Sequence, residues 1–327
     1  MSAIWLKTLL LGLPIGLLFG YVLQRGRFCM YTAFRDILIA RDATLFRAYI
    51  LALLVQAALI HALAAADLLS VQVFSFTWLA SIAGSFVFGI GMVLAGGCSS
   101  GTWYRVGEGM VGSWMAAMGY ALGVAATFWG LLRPAAAYLR SFRAPPELSS
   151  LHGALGLPKW AVLIALLAAG GIWLARSPRP RAFTGWTWTR TGLAIGLVAA
   201  LAWVASAAAG RNFGLSMTGP SGALLRYVAI GDTSPGWGLW MILGVPLGAF
   251  AGAVAAGEFK WRAPAPERMV KQFAGGGLMG FGAATAGGCN IGHSLTGLAA
   301  LSTGSLAATI FIILGCWTGT YLFFMRK

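Results

Sequence analysis

A glycine-rich turn around a cysteine occurs twice in this chain. Residues 95–102 read Ala-Gly-Gly-Cys-Ser-Ser-Gly-Thr, and residues 286–293 read Ala-Gly-Gly-Cys-Asn-Ile-Gly-His. Glycine allows one helix to end and another to begin through backbone conformations that other residues avoid. A helix that starts after the cysteine presents free N–H groups and a partial positive charge beside the thiol. The two turns therefore predict sites where an anion meets a cysteine.

Small and polar residues accompany these cysteines. The residues that we expect to line the sites are Gly97, Cys98, Ser99, Ser100, Gly288, Cys289, Asn290 and His293. Serine and asparagine also cap helices well, and His293 is either a lining residue or a cap. A third cysteine, Cys29, follows Gly26, Arg27 and Phe28, and we expect it to join the other two. Cys316 lies in an apolar segment, where a free cysteine is commonly a small buried packing residue.

Two thiol chemistries are open. A thiolate at a helix N-terminus could form covalent adducts, whereas a neutral S–H could donate a weak hydrogen bond to a passing acceptor. Transport favours the neutral S–H, because a thiolate repels an anion and a covalent adduct slows release. A soft S–H also suits a sulfur acceptor, and several weak sites permit both entry and exit. The alternative is that all the cysteines only pack. No paired cysteines occur at zinc-ligand or redox spacing, so no metal, disulfide or cofactor is predicted.

The composition predicts a protein that crosses a membrane many times. Of 327 residues, 59% are hydrophobic and 9% charged, whereas a soluble domain has about a quarter charged. The net charge of +15 is typical of a membrane protein with basic cytoplasmic loops. A nucleic-acid partner is excluded, because no soluble domain is predicted that could present a basic face. Nine apolar segments approach or reach the ~20 residues that a helical span needs. They are 4–23, 45–66, 77–95, 110–131, 159–175, 189–208, 236–256, 270–286 and 304–325.

The repeated turn predicts two inverted repeats. Residues 84–101 align with 275–292, so a repeat over about 4–131 matches one over about 189–325, with a linking helix at 159–175. Four spans plus one linking span start the second repeat on the opposite face, which is a common transporter architecture. Repeated glycines, including Gly84, Gly89 and Gly91, are expected to pack helices closely. A fainter match sets residues 26–29 beside 210–214 with one residue inserted.

Four connecting segments are expected to be re-entrant hairpins or broken helices: 24–44, 96–109, 209–235 and 287–303. With the N-terminus outside and the C-terminus inside, sixteen of the 23 basic residues face the cytoplasm, as the positive-inside rule favours. Cys29 and Cys98 then enter from the cytoplasm and Cys289 from outside. Arg105 is expected to form a salt bridge with Glu108, and Asp36 to pair with a nearby arginine.

The three cysteine motifs resemble those of the YeeE/YedE family of membrane proteins. The matching segments are 25–29, 89–102 with 105–109, and 280–293 with 295–297, and the likeness extends over essentially the whole chain. The resemblance implies thiosulfate uptake through an inverted-repeat helical fold, with thiosulfate passed along Cys29, Cys98 and Cys289 by transient S–H hydrogen bonds. It also implies a TusA-like cytoplasmic sulfur carrier as a partner, and it leaves a selenium compound open as the substrate.

These observations predict an all-α polytopic protein of the bacterial inner membrane, with about nine transmembrane helices and short re-entrant helices. The predicted function is uptake of thiosulfate or a similar small sulfur-containing anion rather than enzymatic catalysis. One alternative is a membrane-embedded thiol sulfurtransferase or redox enzyme, which would form a persulfide or disulfide intermediate. The other is a structural subunit of a larger complex, which would transport nothing by itself.

Overall fold

The computed structural model describes residues 3–177, 185–231 and 236–326, and within these ranges it contains helices but no β-strand. A helix lies over each of the nine predicted spans. These long helices are α1 (Ala3–Arg25), α3 (Thr44–Ala65), α4 (Trp78–Ala95), α6 (Val111–Phe128), α9 (Lys159–Arg176), α10 (Trp188–Ala208), α12 (Trp237–Ala255), α13 (Pro266–Ala286) and α14 (Thr303–Thr320). The prediction of an all-helical polytopic protein is confirmed.

Eight membrane-crossing segments in the described ranges are long and apolar enough to span a bilayer. Helix α13, which covers the predicted span 270–286, does not meet this criterion. Its first turns carry Glu267, Arg268 and Lys271, and its second half contains the glycines of the repeat. It packs between α4 and α6 in the centre of the bundle, so neighbouring helices rather than lipid surround much of it.

Each of the four unusual connecting segments contains a short helical element. These are α2 (Met30–Ile39), α5 (Ser99–Gly107), α11 (Thr218–Ile230) and a π-helical turn (Ile291–Gly297). Residues 232–235 of the third segment lie outside the described residues, as do Arg179, Arg181 and Lys327. A short helical element directly follows each of the three cysteines, as predicted for Cys98 and Cys289, and Asn290, which comes after Cys289, already has helical dihedral angles.

Helices α4 and α13 cross at the centre through the repeated glycines. Gly84 lies against the backbone of Gly282, and Gly91 lies against the backbone of Gly275. The contacts are reciprocal, because Gly84 aligns with Gly275 and Gly91 with Gly282. A side chain at any of these positions would collide with backbone atoms of the facing helix. The expected packing role of these glycines is confirmed, and it is the close helix approach that small residues allow in membranes.

The other helix pairs also correspond to one another when the two repeats are exchanged. Helix α1 packs on α12 while α10 packs on α3, and α4 packs on α14 while α13 packs on α6. Replacing each helix by its counterpart in the other repeat converts one member of each pair into the other. The division of the chain into two inverted repeats remains our proposal, and this pattern of packing supports it.

Three of the short helical elements, α2, α5 and the π-helical turn, lie in hairpins that return to the end of the bundle from which they start. Gly96, before α5, and Met110, after it, line the same cavity, which also contains Arg27 and Leu45 from either side of α2. The π-helical turn instead starts and ends at a second cavity, lined by Gly287 and Ser302. Because α4 has its C-terminus at the first cavity and Ser81, near its N-terminus, at the second, these cavities lie at opposite ends. The Cys29 and Cys98 segments thus enter from one end and the Cys289 segment from the other.

The chain between the two proposed repeats also forms helices. Helix α9 packs on α3 and is exposed along most of its length, as expected for a linking helix at the lipid boundary. The loop before it contains two short helices, α7 (Arg133–Ser141) and α8 (Leu151–Leu155), which the sequence did not predict. From α7, Arg140 donates hydrogen bonds to the carbonyl oxygens of Ala284 and Thr285, at the last turn of α13. These carbonyls would otherwise lack partners, because a helix leaves its final C=O groups unpaired.

Candidate functional site

The thiols of Cys29 and Cys98 form a pair. Their sulfur atoms are 3.5 Å apart, and the Cys29 S–H donates to the sulfur of Cys98. The backbone N–H of Cys98 also points at the Cys29 sulfur, at 3.5 Å. Each cysteine is the N-cap residue of a short helix, Cys29 of α2 and Cys98 of α5. Two helix N-termini therefore direct their partial positive charge at one pair of buried sulfur atoms.

Gly101 makes room for this pair. A β-carbon at Gly101 would lie 2.5 Å from the Cys29 sulfur and 3.3 Å from the Cys98 sulfur. The Gly101 N–H donates to the Cys98 sulfur at 3.3 Å, which caps the start of α5. The hydroxyl of Ser100 lies 3.4 Å from the same sulfur. The Cys98 thiol thus has weak hydrogen-bonding groups beside it from Ser100 and Gly101.

Arg105 supplies a full positive charge beside the pair. Its guanidinium acts electrostatically on both thiols, and it donates to the carbonyl oxygen of Gly96 at 2.8 Å. Gly97, within the turn, packs directly against this guanidinium, because a β-carbon there would be 3.1 Å from Arg105 Nη1. Gly96 has a left-handed backbone, with φ of 72°, and its carbonyl lies just past the end of α4. The arginine therefore stabilises the turn and brings a cation to the thiols.

The predicted salt bridge between Arg105 and Glu108 is wrong. A spacing of three residues places two side chains on one helix face, but Arg105 extends back to Gly96 instead. Glu108 accepts from Gln24 at 3.3 Å, and Gln24 donates to Glu258 at 2.8 Å. The other prediction is confirmed, because Asp36 pairs with Arg35 at 2.7 Å.

An ion-pair cluster holds the loop after α1 against the loop after α12. Glu258 pairs with Arg27 at 3.0 Å and with Arg25 at 3.4 Å. Burial opposes ionisation of Glu258, but hydrogen bonds from Gln24 and Arg27 outweigh it and lower the pKa of its carboxyl. Arg27 has a φ of 44°, a left-handed conformation that a non-glycine residue seldom adopts. The cluster fixes the chain from two to five residues before Cys29.

A hydrogen bond joins the two cysteine turns across the centre of the molecule. Ser99 Oγ donates to Asn290 Oδ1 at 2.8 Å, and both residues directly follow their cysteines. The Asn290 amide nitrogen donates in turn to the sulfur of Met30 at 3.0 Å. Met30 had not been predicted as a site residue, because only the folded chain brings the start of α2 to the second turn. All three side chains are fully buried.

Cys289 lies beyond this bridge, apart from the thiol pair. It is fully buried, and the hydroxyl of Tyr120 lies beside it. His293 holds the turn around it: Nε2 is 3.2 Å from the carbonyl oxygen of Ala286, and Nδ1 is 3.1 Å from Ser305 Oγ. The imidazole ring also fills the space beside Gly288. His293 therefore both supports the end of α13 and lines a cavity, which combines the two predicted roles.

The two cavities lead towards the cysteines from opposite ends. The basic cavity, of about 380 Å³, is lined by Arg27, Arg105, Arg262 and Arg268 together with Glu108. The His293 cavity, of about 280 Å³, has no Lys, Arg, Asp or Glu among its described lining residues. Each could hold a small anion with several waters, since a liquid water occupies about 30 Å³. The buried cysteines and the bridge between the turns separate the two cavities, so this conformation is closed.

Cys316 makes no hydrogen bond to Cys29, Cys98 or Cys289 in the described part of the chain. It is buried on α14, and its backbone packs against Gly89 of α4. Its environment is consistent with the predicted packing role. Among the residues that the structure describes, no three His, Cys, Asp or Glu side chains are placed to hold a metal ion. The described site residues bring weak hydrogen-bonding thiols and hydroxyls into a positive field.

Comparison with known proteins shows the family of this chain. A family model described as sulphur transport matches residues 25–318. The thiosulfate transporter TsuA of Escherichia coli (strain K12) is 37% identical, over 98% of this chain and 96% of that protein. The TsuA thiosulfate transporter of Spirochaeta thermophila is 39% identical, over 96% of this chain and 99% of that protein. A probable transporter, YedE of Salmonella typhimurium, is 31% identical over 39% of this chain.

These relatives are named transporters and not enzymes, and they include the family that the cysteine motifs resemble. The family match covers nearly all of the helical bundle, including Cys29, Cys98 and Cys289. The chain belongs to the sulphur transport family.

Proposed function

We propose that this protein carries thiosulfate, or a closely similar small sulfur-containing anion, inward across the bacterial inner membrane. The observation that carries the proposal is the Cys29–Cys98 thiol pair, buried between two helix N-termini and beside Arg105. The names of the full-length relatives support the choice of anion. The structural division into two inverted repeats is part of the same proposal, since it places one cysteine turn towards each side.

The thiols suit the terminal sulfur of such an anion better than the oxygens of sulfate. A neutral S–H is a weak donor, and sulfur is a soft acceptor. The Cys29 S–H now donates to Cys98, so an arriving anion can take over this hydrogen bond without leaving a donor unpaired. Replacing one weak hydrogen bond by another changes the free energy little in either direction, so the anion can both bind and leave. The helix N-termini and Arg105 offset the loss of water around the charge.

We further propose the order of the sites. The anion enters the His293 cavity from outside, reaches Cys289, crosses the bridge between Ser99 and Asn290, and reaches the thiol pair. It leaves through the basic cavity, whose arginines favour an anion at that end. The N-terminus is then outside and the C-terminus cytoplasmic, in agreement with the distribution of basic residues. A TusA-like sulfur carrier is the proposed cytoplasmic acceptor of the anion.

The decisive experiment measures uptake of ³⁵S-thiosulfate by liposomes that contain the purified protein. Single Cys→Ala variants at Cys29, Cys98 and Cys289 are compared with Cys316→Ala as the matched control. We expect uptake to fall to the level of empty liposomes for the three site variants. Cys316→Ala should remain within about twofold of wild type, because its thiol lies outside the path. Folding of every variant is checked by thermal melting in detergent.

Three results would reject parts of the proposal. Wild-type protein that moves no thiosulfate would reject the substrate. Site variants that transport normally would show that the thiols only pack. A persulfide on Cys98 or Cys289 that forms stoichiometrically and turns over, measured by mass spectrometry after exposure to thiosulfate, would replace the hydrogen-bond relay with thiol group-transfer chemistry.

A further inference from the structure

Two glycines show which residue of the second half is structurally equivalent to Cys29, and the sequence match does not identify that residue. Gly101 and Gly292 each lie three residues after the cysteine of a repeated turn. Gly101 packs against the sulfur of Cys29, whereas Gly292 packs against Ser216, with its β-position 3.4 Å from Ser216 Oγ. Ser216 therefore occupies, in the second half, the place that Cys29 occupies in the first.

The faint sequence match had placed Gly214, not Ser216, beside Cys29. The structural register differs by two residues, and it aligns a following methionine in each half, Met30 with Met217. Both methionines are fully buried. The loop of the second half is longer before this point, so a match anchored on its Gly-Arg pair stops short. In the register that the fold defines, the second half has the hydroxyl of Ser216 where the first half has the thiol of Cys29.

The hydroxyl of Ser216 is available for a ligand. The side chain is buried, with 8% exposure, and it makes no hydrogen bond within the described part of the chain. Gly292, which it contacts, lines the His293 cavity. Two residues further on, the Thr218 hydroxyl lies 3.0 Å from the hydroxyl of Tyr120. Tyr120 lies beside both Cys289 and Ser99, so these hydroxyls extend from the cavity wall towards the central bridge.

We infer that Ser216, Thr218 and Tyr120 form a hydroxyl subsite that binds the oxygen atoms of the transported anion. The inference rests on the proposed function. Hydroxyl O–H groups are stronger donors than thiols and suit oxygen acceptors, whereas the paired thiols suit sulfur. The half of the path at Cys289 has one thiol and, at Ser216, a hydroxyl in the place of a second thiol, whereas the other half has a pair of thiols. An anion with sulfur at one end and oxygens at the other finds complementary donors in both halves. An anion of sulfur alone finds them in one.

The test uses the full-length protein in liposomes and in detergent. Ser216→Ala and Tyr120→Phe remove one hydroxyl each, and Ser216→Cys restores a donor of the type found at Cys29. The matched control is Ser85→Ala, because Ser85 is also a buried serine without a hydrogen-bond partner, on α4, and it is not among the described lining residues of either cavity. For each protein we would measure the KM and maximal rate of ³⁵S-thiosulfate uptake. Difference infrared spectroscopy with ¹⁸O-labelled thiosulfate would record the S–O stretching bands of the bound anion.

We expect the KM of Ser216→Ala and Tyr120→Phe to rise about tenfold, the size of effect expected for one hydrogen bond to a charged group. The maximal rate should change less than twofold, and the S–O bands should shift towards those of free thiosulfate. Ser216→Cys should have an intermediate KM, which shows that the donor and not the packing of the side chain is responsible. Ser85→Ala should match wild type in both measurements.

Unchanged KM values and unchanged S–O bands in both hydroxyl variants would overturn the subsite. An equal loss in Ser85→Ala would also overturn it, because the effect would then be general destabilisation. Failure of the proposed function is distinguishable from both results, since wild type would then neither take up thiosulfate nor show bands of the bound anion.

Discussion

Replacement of Gly101 by alanine tests whether the thiol pair, and not merely the presence of two cysteines, supports transport. The new β-carbon would lie 2.5 Å from the Cys29 sulfur, whereas carbon contacts are ordinarily about 3.5–4.0 Å. The Cys29 sulfur must therefore move by about 1 Å or more. Cys98 blocks one direction, because its sulfur would be 3.3 Å from the same β-carbon. The movement would lengthen the 3.5 Å separation between the sulfurs and break their hydrogen bond.

The effect on stability should be small compared with the effect on transport. Overpacking a buried site costs about 1–3 kcal/mol, and alanine regains about 1 kcal/mol over glycine in a helix. The Gly101→Ala protein should therefore fold, with a melting temperature a few degrees below wild type. Its thiosulfate uptake should fall at least tenfold, as in Cys29→Ala. The control is Gly171→Ala in α9, where nothing lies within 4 Å of the added carbon. Wild-type uptake by Gly101→Ala would refute the reasoning, since the thiols would then work without their present contact.

Three further outcomes are expected. Asn290→Ala should lower the melting temperature and reduce uptake, because it leaves the buried Ser99 hydroxyl without its acceptor, at a cost of about 1–3 kcal/mol; normal stability and uptake would contradict the bridge. Arg140→Leu should destabilise the protein by about 1–2 kcal/mol in thermal melting, while Arg143→Leu, at an exposed arginine of the same loop, should not. Because the folded state lowers the pKa of Glu258, its contribution to stability is present above its ordinary pKa of 4.5 and is lost as pH falls through the lower folded value. Acidification below pH 4.5 should therefore lower the melting temperature of wild type more than that of Glu258→Gln, and equal losses would exclude this cause.

The spans and the two cysteine turns could be predicted because their signals are local. Long apolar segments determine where helices lie, and the repeated Ala-Gly-Gly-Cys marks where α4 and α13 end. The glycine spacing before each turn also predicted close packing. What it could not predict was the partner helix of each glycine. Gly89 packs on α14 and its counterpart Gly280 packs on α6, so even aligned glycines contact different helices.

The pairing of the site residues could not be predicted from the sequence, because tertiary contacts determine it. Cys29 and Cys98 are separated by 69 positions, and only the packing of two hairpins from the same end brings their sulfurs together. Arg105 illustrates the same difficulty at short range. Its spacing from Glu108 favoured a salt bridge, but an unpaired carbonyl at the end of α4 and an amide from Gln24 provided closer partners. Helix ends supply strong acceptors that a pattern of charges does not reveal.

The exchange of a thiol for a hydroxyl between the two halves has a consequence for transport. Two identical half-sites would hold an anion equally well, and the anion would have no reason to turn as it crosses. With hydroxyls on the Cys289 side and a thiol pair on the other, the two ends of an asymmetric anion prefer different halves. In the proposed relay the oxygens remain at the hydroxyls of Ser216 and Tyr120 while the sulfur advances to Cys98. The bridge between Ser99 and Asn290 lies between these positions, so an anion that touches both halves can compete for both of its hydrogen-bonding groups. The substrate itself then provides the interactions that open the closed centre, and an anion with only one type of acceptor cannot do so as well.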